Sequence, residues 1–513
     1  MKNLFYAAIF SLFSVSVYAE NQTYYVNSDI GNDANPGTSR ANPWASLEKV
    51  NSVTFEPGDR ILFQAGSVYK GQLKLKGSGA EGSPIVIDMY GVGGKPRIDG
   101  EGKVLDTVLL ENVEYWEVNN LEITNLGPER REWQTGIKAW ANSYGTIHHI
   151  QFKNLYVHDV NGHLKKDVEG CGIFAQASGD KFSNFDGLLV EDCHVVRTDR
   201  NGICMSSDFT NRSKNWFPSY NVVMRGNLVE DCGGDGIKPW GTVGCVVEYN
   251  TVHYARQRCD GYAVGIWPWS ADNTLIQYNE VSHTKGAVDG QGFDSDYNCN
   301  NTTFQYNYSH DNDGGFMLMC TPTPDEDNIG CNGTVVRYNI SQNDMQRIFQ
   351  INGRVKDTQV YNNIIYTRKE LNVPLVLAVN IDGDYAQNLS FYNNIFYTDG
   401  TMRYSHSTKW LPKGLHRHAP GLAKMDVIFS NNAYFGNHEN RPEDKHAITD
   451  DPMLVNPGSG GNGLDSLDGY KLKAGSPCIA TGKAIAESGV LDFWGNKLDG
   501  GKPSIGVHEP KSH

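Results

Sequence analysis

V-V-M-R-G-N-L-V at residues 222–229 returns as V-V-E-Y-N-T-V at 246–252, L-I-Q-Y-N-E-V at 275–281, T-F-Q-Y-N-Y-S at 303–309 and V-V-R-Y-N-I-S at 335–341. The copies start 24 to 32 residues apart. A short strand and a bend, recurring at that period, cannot bury an apolar face alone, whereas stacking each turn on the next buries one continuously. The fold is therefore read from the repeat.

Aligned on Asn227, Asn250, Asn279, Asn307 and Asn339, each copy is followed by a second strand: G-I-K-P-W from Gly236, G-I-W-P-W from Gly265, G-F-D-S-D from Gly292, G-F-M-L-M from Gly315 and R-I-F-Q-I from Arg347. Side chains alternate across a strand, so Ile237, Ile266, Phe293, Phe316 and Ile348 are expected to share an inward column. Lys238, Trp267, Asp294, Met317 and Phe349 then share an outward column, with Trp240, Trp269, Asp296, Met319 and Ile351 in a second one. Upstream, G-I-K-A-W from Gly136, G-I-F-A-Q from Gly172 and Asn201-Gly202-Ile203-Cys204 extend these columns through Lys138, Phe174 and Cys204 and through Trp140, Gln176 and Ser206. Downstream, Asn363, Asn394 and Asn432 continue the asparagine column. An asparagine at each bend can stack its amide on the next, tie off backbone groups and tolerate left-handed φ.

This pattern predicts an all-β chain, a single-stranded right-handed parallel β-helix spanning 58–435. Residues 20–57 supply a first strand and a capping helix, Pro43 to Val50, with Ser46 as a possible N-cap. Residues 436–513 lose the periodicity and read as a loop-rich C-terminal cap. Lys2, the apolar run Leu4 to Val17 and the small-residue boundary at Ala19 read as a signal peptide over 1–19. A secreted or periplasmic monomer follows.

A net charge of −14 argues against nucleic acid or an anionic membrane as partner, and membrane insertion is not expected because no other apolar run approaches the length of a spanning helix. The ten cysteines of an exported chain suggest disulfides, with Cys320 and Cys331 bracketing a closable loop, while Cys193 and Cys204 sit inside strands as buried thiols would.

The outward columns gather Trp240, Trp267 and Trp269 beside Asp294 and Asp296, with Lys238 on the same sheet. Exposed rings on a flat sheet match the apolar face of a pyranose; alternatively, loops 207–221 and 320–333 cover them. Asp294 and Asp296 project from one face, suited to acid/base cleavage of a glycoside by a retaining or an inverting route or, with Asp260, to holding Ca²⁺. Lengthened bends bring Arg256, Arg258, Asp260 and Asp289 to the rim, and His283 and His310 follow at the next bends. Arg256, Arg258, Lys238 and Arg347 suggest an acidic or sulfated glycan, because Arg pairs well with carboxylate and sulfate.

The coils, the N-terminal Y-Y-V-N-S-D-I-G-N-D-A-N-P-G-T and the closing D-F-W-G-N and G-K-P-S-I-G-V-H-E segments resemble the parallel β-helix carbohydrate-active enzymes, pectate-lyase-like proteins and β-helix glycoside hydrolases. The resemblance implies a secreted protein acting on a polysaccharide or oligosaccharide. It does not choose a reaction. The carboxylate motifs of polygalacturonases and the D-P-H-D signature of alginate epimerases are missing.

Three functions compete. In a glycoside hydrolase with no cofactor, Asp294, Asp296 and Asp260 would do the chemistry with His310 tuning one of them, and Trp240, Trp267, Trp269, Lys238, Arg256, Arg258, His283 and Arg347 would hold the glycan. In a calcium-dependent polysaccharide lyase, Lys238 or an arginine would be the base and the aspartates the metal ligands. A non-catalytic glycan-binding protein would need the tryptophans alone.

Overall fold

A computed structural model describes residues 21–510 except 169, 260, 412–416 and 423. The expected signal peptide and Asp260 therefore lie outside the described residues. One coil shows the plan. Strand Cys171–Ser178 turns into strand Asn184–Glu191, an asparagine-type bend leads to His194–Thr198, and Asn201–Ser207 opens the next coil directly above Cys171–Ser178. Pairing between successive coils is parallel in all three positions. Among the described residues, antiparallel pairing is confined to Ser405↔Pro420 with His406↔Ala419 and to single bridges in loops. Parallel strands cannot be joined by tight hairpins. A coil that returns through two other sheets supplies the crossover, and the protein is a parallel β-helix.

The core is a column of stacked side chains. Ile137, Ile173, Ile203 and Ile237 pair in register, and single bridges carry the column on through Ile266 to Phe293. Each is at most 1% exposed. The glycine before each of these residues is required by the approach of the next coil. A Cβ at Gly236 would lie 2.5 Å from the Gly265 carbonyl oxygen and 2.5 Å from a Val252 methyl.

Above Phe293 the register departs from the sequence alignment. Phe293 pairs with Met317, which pairs with Phe349, so Met317 and Phe349 point inward, as do Met319 and Ile351. Leu318 and Gln350, not Met317 and Phe349, continue the column of Asp294. The strand enters one residue out of step with the Gly-apolar alignment: Gly315, at φ +130°, pairs with Gln291 rather than with Gly292. A slip of one residue moves every later side chain to the other face.

The asparagine column forms the ladder its spacing suggests. Asn227 donates from its backbone N–H (3.0 Å) and its Nδ2 (2.9 Å) to Oδ1 of Asn250, and the same pair of bonds runs from Asn250 to Asn279 and from Asn279 to Asn307. Left-handed φ belongs instead to the residue before each asparagine, at Tyr249, Tyr278, Tyr306 and Tyr338. These tyrosines stack on one another outside the bend, Tyr249 on Tyr278 at 5.0 Å and 1° between planes. At the last rung Asp444 receives the backbone N–H and Nδ2 of Asn432.

Helix Leu47–Ser52 is N-capped by Ser46, whose Oγ accepts from Lys49 N–H, and buries Leu47 and Val50. The tail is loop-rich, as expected, but much of it lies along the flank of the coils rather than across their end. Tyr306 Oη donates to the Leu491 carbonyl, Asn362 Nδ2 to the carbonyls of Ser504 and Gly506, and Gly463 N–H to Glu280. Tyr306, Tyr338 and Tyr361 pack there with Tyr470, Phe493 and Val507. The stacked tyrosines leave an apolar stripe, and the tail buries it. No described helix is long and apolar enough to cross a membrane. Cys320 and Cys331 are buried and not joined, so the expected bridge between them is absent. Both cysteines sit inside strands, where Cys331 Sγ contacts the Ser295 carbonyl and Cys320 Sγ contacts the Asn352 amide.

Candidate active site

Pro239 and Pro268 organise the site. Proline has no N–H to give to a ladder, so the strand Ile237–Lys238 stops and Trp240–Val243 joins the neighbouring sheet, where Trp240 pairs with Trp269. The two indoles stack at 5.0 Å and 15°. Trp269 also meets Trp267 and Tyr297, each at 5.6 Å and 55°. Trp240 and Trp269 keep part of their surface exposed, while Trp267 is only 3% exposed. The Trp267 indole N–H donates to Asp235 Oδ1 at 2.9 Å. Trp267 is thus a wall of the site rather than an open platform.

The carboxyls come together on the next coil. Asp294 lies in strand Gln291–Ser295 and is 3% exposed; its Oδ1 is buried and accepts no hydrogen bond. Asp296 follows the strand and is half-buried, its Oδ1 accepting from Tyr297 N–H at 2.7 Å. Burial raises both, and the nearby Asp296 charge raises Asp294 further, so the pair holds a proton at neutral pH. Asp289, half-buried on the loop before this strand, is pushed up to about 6 by burial against the pull of Lys166, Arg347 and Arg256. The Asp289 charge raises both members of the pair, and all three carboxyls share Lys166 as a counter-charge. Lys166 reaches over the tryptophans, its Nζ 5.1 Å from the Trp269 ring centre and 5.6 Å from that of Trp267. Asp235 is fully buried and accepts from Val264 N–H as well as Trp267, so it holds the wall in place.

Several residues expected in the groove have other work. Lys238 is 1% exposed, enclosed by Trp240, Trp267 and Asp235. Arg256 donates to the carbonyls of Gly261 and Lys285. Arg258 is held at the bend by Asp231 and the Thr198 carbonyl. Arg347 donates to the carbonyls of Ala287, Asp289 and Gly314, bracing the loop that carries Asp289. Guanidiniums bound this way hold loops, and the groove floor loses the basic character expected for an acidic glycan. His310 lies on strand Tyr308–His310 in the sheet beyond the asparagine bend, clamped between Glu280 (3.0 Å) and Asp311 (2.9 Å). Those carboxylates lift it to about 9. It sits on a different strand from Asp294, and exposed His283 packs beside it and Tyr254. Both histidines therefore leave the candidate site. Loops 207–221 and 320–333 latch onto each other through Ser213, Lys214 and Asp327.

Sequence reasoning missed Lys166 altogether, because nothing in the 161–170 loop marks it as returning three coils later. It also treated Asp289 as a rim residue. The signal for Asp289 was there, in the Asp-Gly-Gln-Gly lengthening just before the strand of Asp294.

No family model matches the sequence. The lacto-N-biosidase of Bifidobacterium longum subsp. longum is 29% identical over 607 residues, covering 95% of this chain and 36% of the relative. The chain thus spans about a third of the length of the curated relative it matches. The native and selenomethionine crystal structures of GH136 lacto-N-biosidase from Eubacterium ramulus are 29% and 30% identical, each with a TM-score of 0.62 over 72% of this chain. They are covered to 68% and 67%. A structure of XylC with xylose, at a TM-score of 0.50 and 14% identity over 84% of this chain and 87% of its own, shares the fold alone. With 30% identity and two thirds of the Eubacterium ramulus chain covered, this chain belongs to the GH136 family.

Proposed function

We propose that the chain is a glycoside hydrolase that cleaves an oligosaccharide over Trp240 and Trp269, with Asp296 and Asp289 as the reacting carboxyls. The observation that carries this reading is the placement of three raised carboxyls at the two ends of one strand, Asp289 just before Gln291–Ser295, Asp294 within it and Asp296 just after it, in a chain with a half-exposed indole stack in the two preceding coils. Glycoside cleavage needs one carboxyl that still holds its proton and one that has lost it. Asp289, pushed up to about 6, is mostly ionised at neutral pH, while the Asp294 and Asp296 pair retains a proton. A reacting carboxyl must also reach the sugar. Asp289 and Asp296 keep exposed surface and Asp294 does not. Asp296 is accordingly the general acid, Asp289 the base or nucleophile, and Asp294 the buried neighbour whose charge, if it formed, would repel that of Asp296.

The lacto-N-biosidase relatives make a lacto-N-bioside the first substrate to try. The lyase alternative loses its base, because Lys238 is enclosed and the three arginines are bound to carbonyls. The test is release of p-nitrophenol from p-nitrophenyl lacto-N-bioside, with and without a chelator. Asp296→Asn should lower kcat by at least about a hundredfold, the scale of a general acid. Turnover that survives in Asp296→Asn, or that vanishes with the chelator and returns with calcium, would sink the reading.

A further inference from the structure

Beyond the carboxyls, the outward column that ends at Asp296 continues for five coils toward the N-terminus. Trp140 pairs with Gln176 and Gln176 with Ser206. The strand Trp240–Val243 belongs to the neighbouring sheet but stays beside the strand of Ser206: a Cβ at Gly241 would lie 3.0 Å from Ser207 Cβ, which sets Trp240 next to Ser206, and Trp240 pairs with Trp269. Every member of this row is half-buried, whereas Lys138, Phe174, Cys204, Lys238, Trp267 and Asp294, in the parallel column beside it, are buried. One face of the helix therefore carries an open trough. Indoles stand at Trp140, Trp240 and Trp269, with small or flexible polar side chains between the first two.

The far end repeats the chemistry of the near end. G-I-K-A-W at 136–140 matches G-I-K-P-W at 236–240. Lys138 Nζ lies 4.1 Å from the Trp140 ring centre, as Lys238 Nζ lies 4.9 Å from that of Trp240. The Trp140 indole N–H donates to Ser178 Oγ at 2.7 Å, which fixes the ring across the coil boundary. Glu111, its register partner in the preceding coil, is half-buried and paired with Lys74 at 2.9 Å. At the other end, the Trp240 indole N–H has no acceptor among the described residues. A fixed, half-exposed indole flanked by charged groups that can take hydroxyl hydrogen bonds is suited to the face of a sugar ring. Nothing in the packing of the core calls for one at Trp140.

We propose that Trp140, with Gln176 and Ser206, forms a distal subsite for an extended glycan lying along the helix axis, its cleaved bond at Asp296. This rests on the reading of the carboxyls as the reacting centre. From Trp140 to Asp296 there are five coil steps, about 24 Å at the strand spacing, so a chain of about as many sugar rings would engage both ends. Short glycans would reach only the tryptophans near the carboxyls.

The experiment measures binding on a glycan array graded by length, in an Asp296→Asn background so that no chain is cut. Chains of about six sugars should bind at least about tenfold more tightly than their own disaccharide fragments, and Trp140→Ala should abolish that advantage while leaving the fragments unchanged. Trp140→Phe should keep it, and unchanged thermal unfolding checks the fold of each variant. An array on which length confers no advantage, or on which Trp140→Ala retains it, overturns the proposal. Hydrolysis of p-nitrophenyl lacto-N-bioside is read separately in an Asp296-containing chain. Trp140→Ala should leave it intact, and its absence from the wild type would count against the reacting carboxyls rather than the distal subsite.

Discussion

Asp289→Asn should trade activity for stability, and the trade should depend on pH in a calculable way. Asp289 titrates at about 6 in the folded chain against 3.8 for the free side chain, with burial as the main cause. A carboxyl whose folded value is raised binds more protons folded than unfolded. The folded state therefore loses stability as pH rises from about 4 to about 6, and the loss stays constant above that. That difference corresponds to about 3 kcal/mol, an upper figure because Asp289 keeps some exposed surface. Asparagine does not ionise, and it suits the left-handed φ of +55° at this position at least as well as aspartate. The variant should thus match the wild type near pH 4 and exceed it by up to about 3 kcal/mol at pH 7.5, while kcat falls by about a hundredfold or more. For roughly 490 ordered residues the unfolding entropy is on the order of 1 kcal/mol per kelvin, so the gain should appear as a rise of up to about 3 °C in Tm. Calorimetry at pH 4.5 and 7.5, beside turnover of p-nitrophenyl lacto-N-bioside, measures both arms. A gain in Tm that is the same at both pH values, or a loss at pH 7.5, would refute the electrostatic argument; retained turnover would refute the role.

The other expectations follow from burial and partners. Trp240→Ala and Trp269→Ala should raise KM by about 1 to 2 kcal/mol equivalent with the fold intact, as for exposed aromatic contacts, while buried Trp267→Ala should destabilise by about 3 to 5 kcal/mol; chemical denaturation beside kinetics separates the two classes. Asn279→Ala removes one rung of the ladder and orphans the Asn250 backbone N–H and side-chain amide that donate to it, costing about 1 to 3 kcal/mol without changing kcat per folded molecule. His310→Ala should leave kcat within about threefold, a small fraction of what a general acid or base supplies, because the ring is engaged by Glu280 and Asp311 on another sheet.

The repeat was legible because its physics is local and summed. Asn227 to Asn432 recur at the coil period, each asparagine at a bend and each Gly-apolar pair after it, and a stack of identical turns has one way to bury Ile237 on Ile266. Strand direction, the inward column up to Phe293 and the grouping of tryptophans with Asp294 and Asp296 all follow from that period together with side-chain alternation. Tertiary structure decided whatever the period does not encode. Pairing of Gly315 with Gln291 reversed the faces of Met317 and Phe349, because a slip of one residue shifts a period of two by a full half-cycle and leaves no compositional trace. Arg256, Arg258 and Arg347 read as groove residues until the structure showed their guanidiniums bound to carbonyls, most of them in the bends of neighbouring coils. The tail was placed by the apolar tyrosine stripe, and Lys166 by a loop that folds back over three coils. In both cases contacts between residues distant in the chain set the outcome, and alternation along a strand carries no information about them.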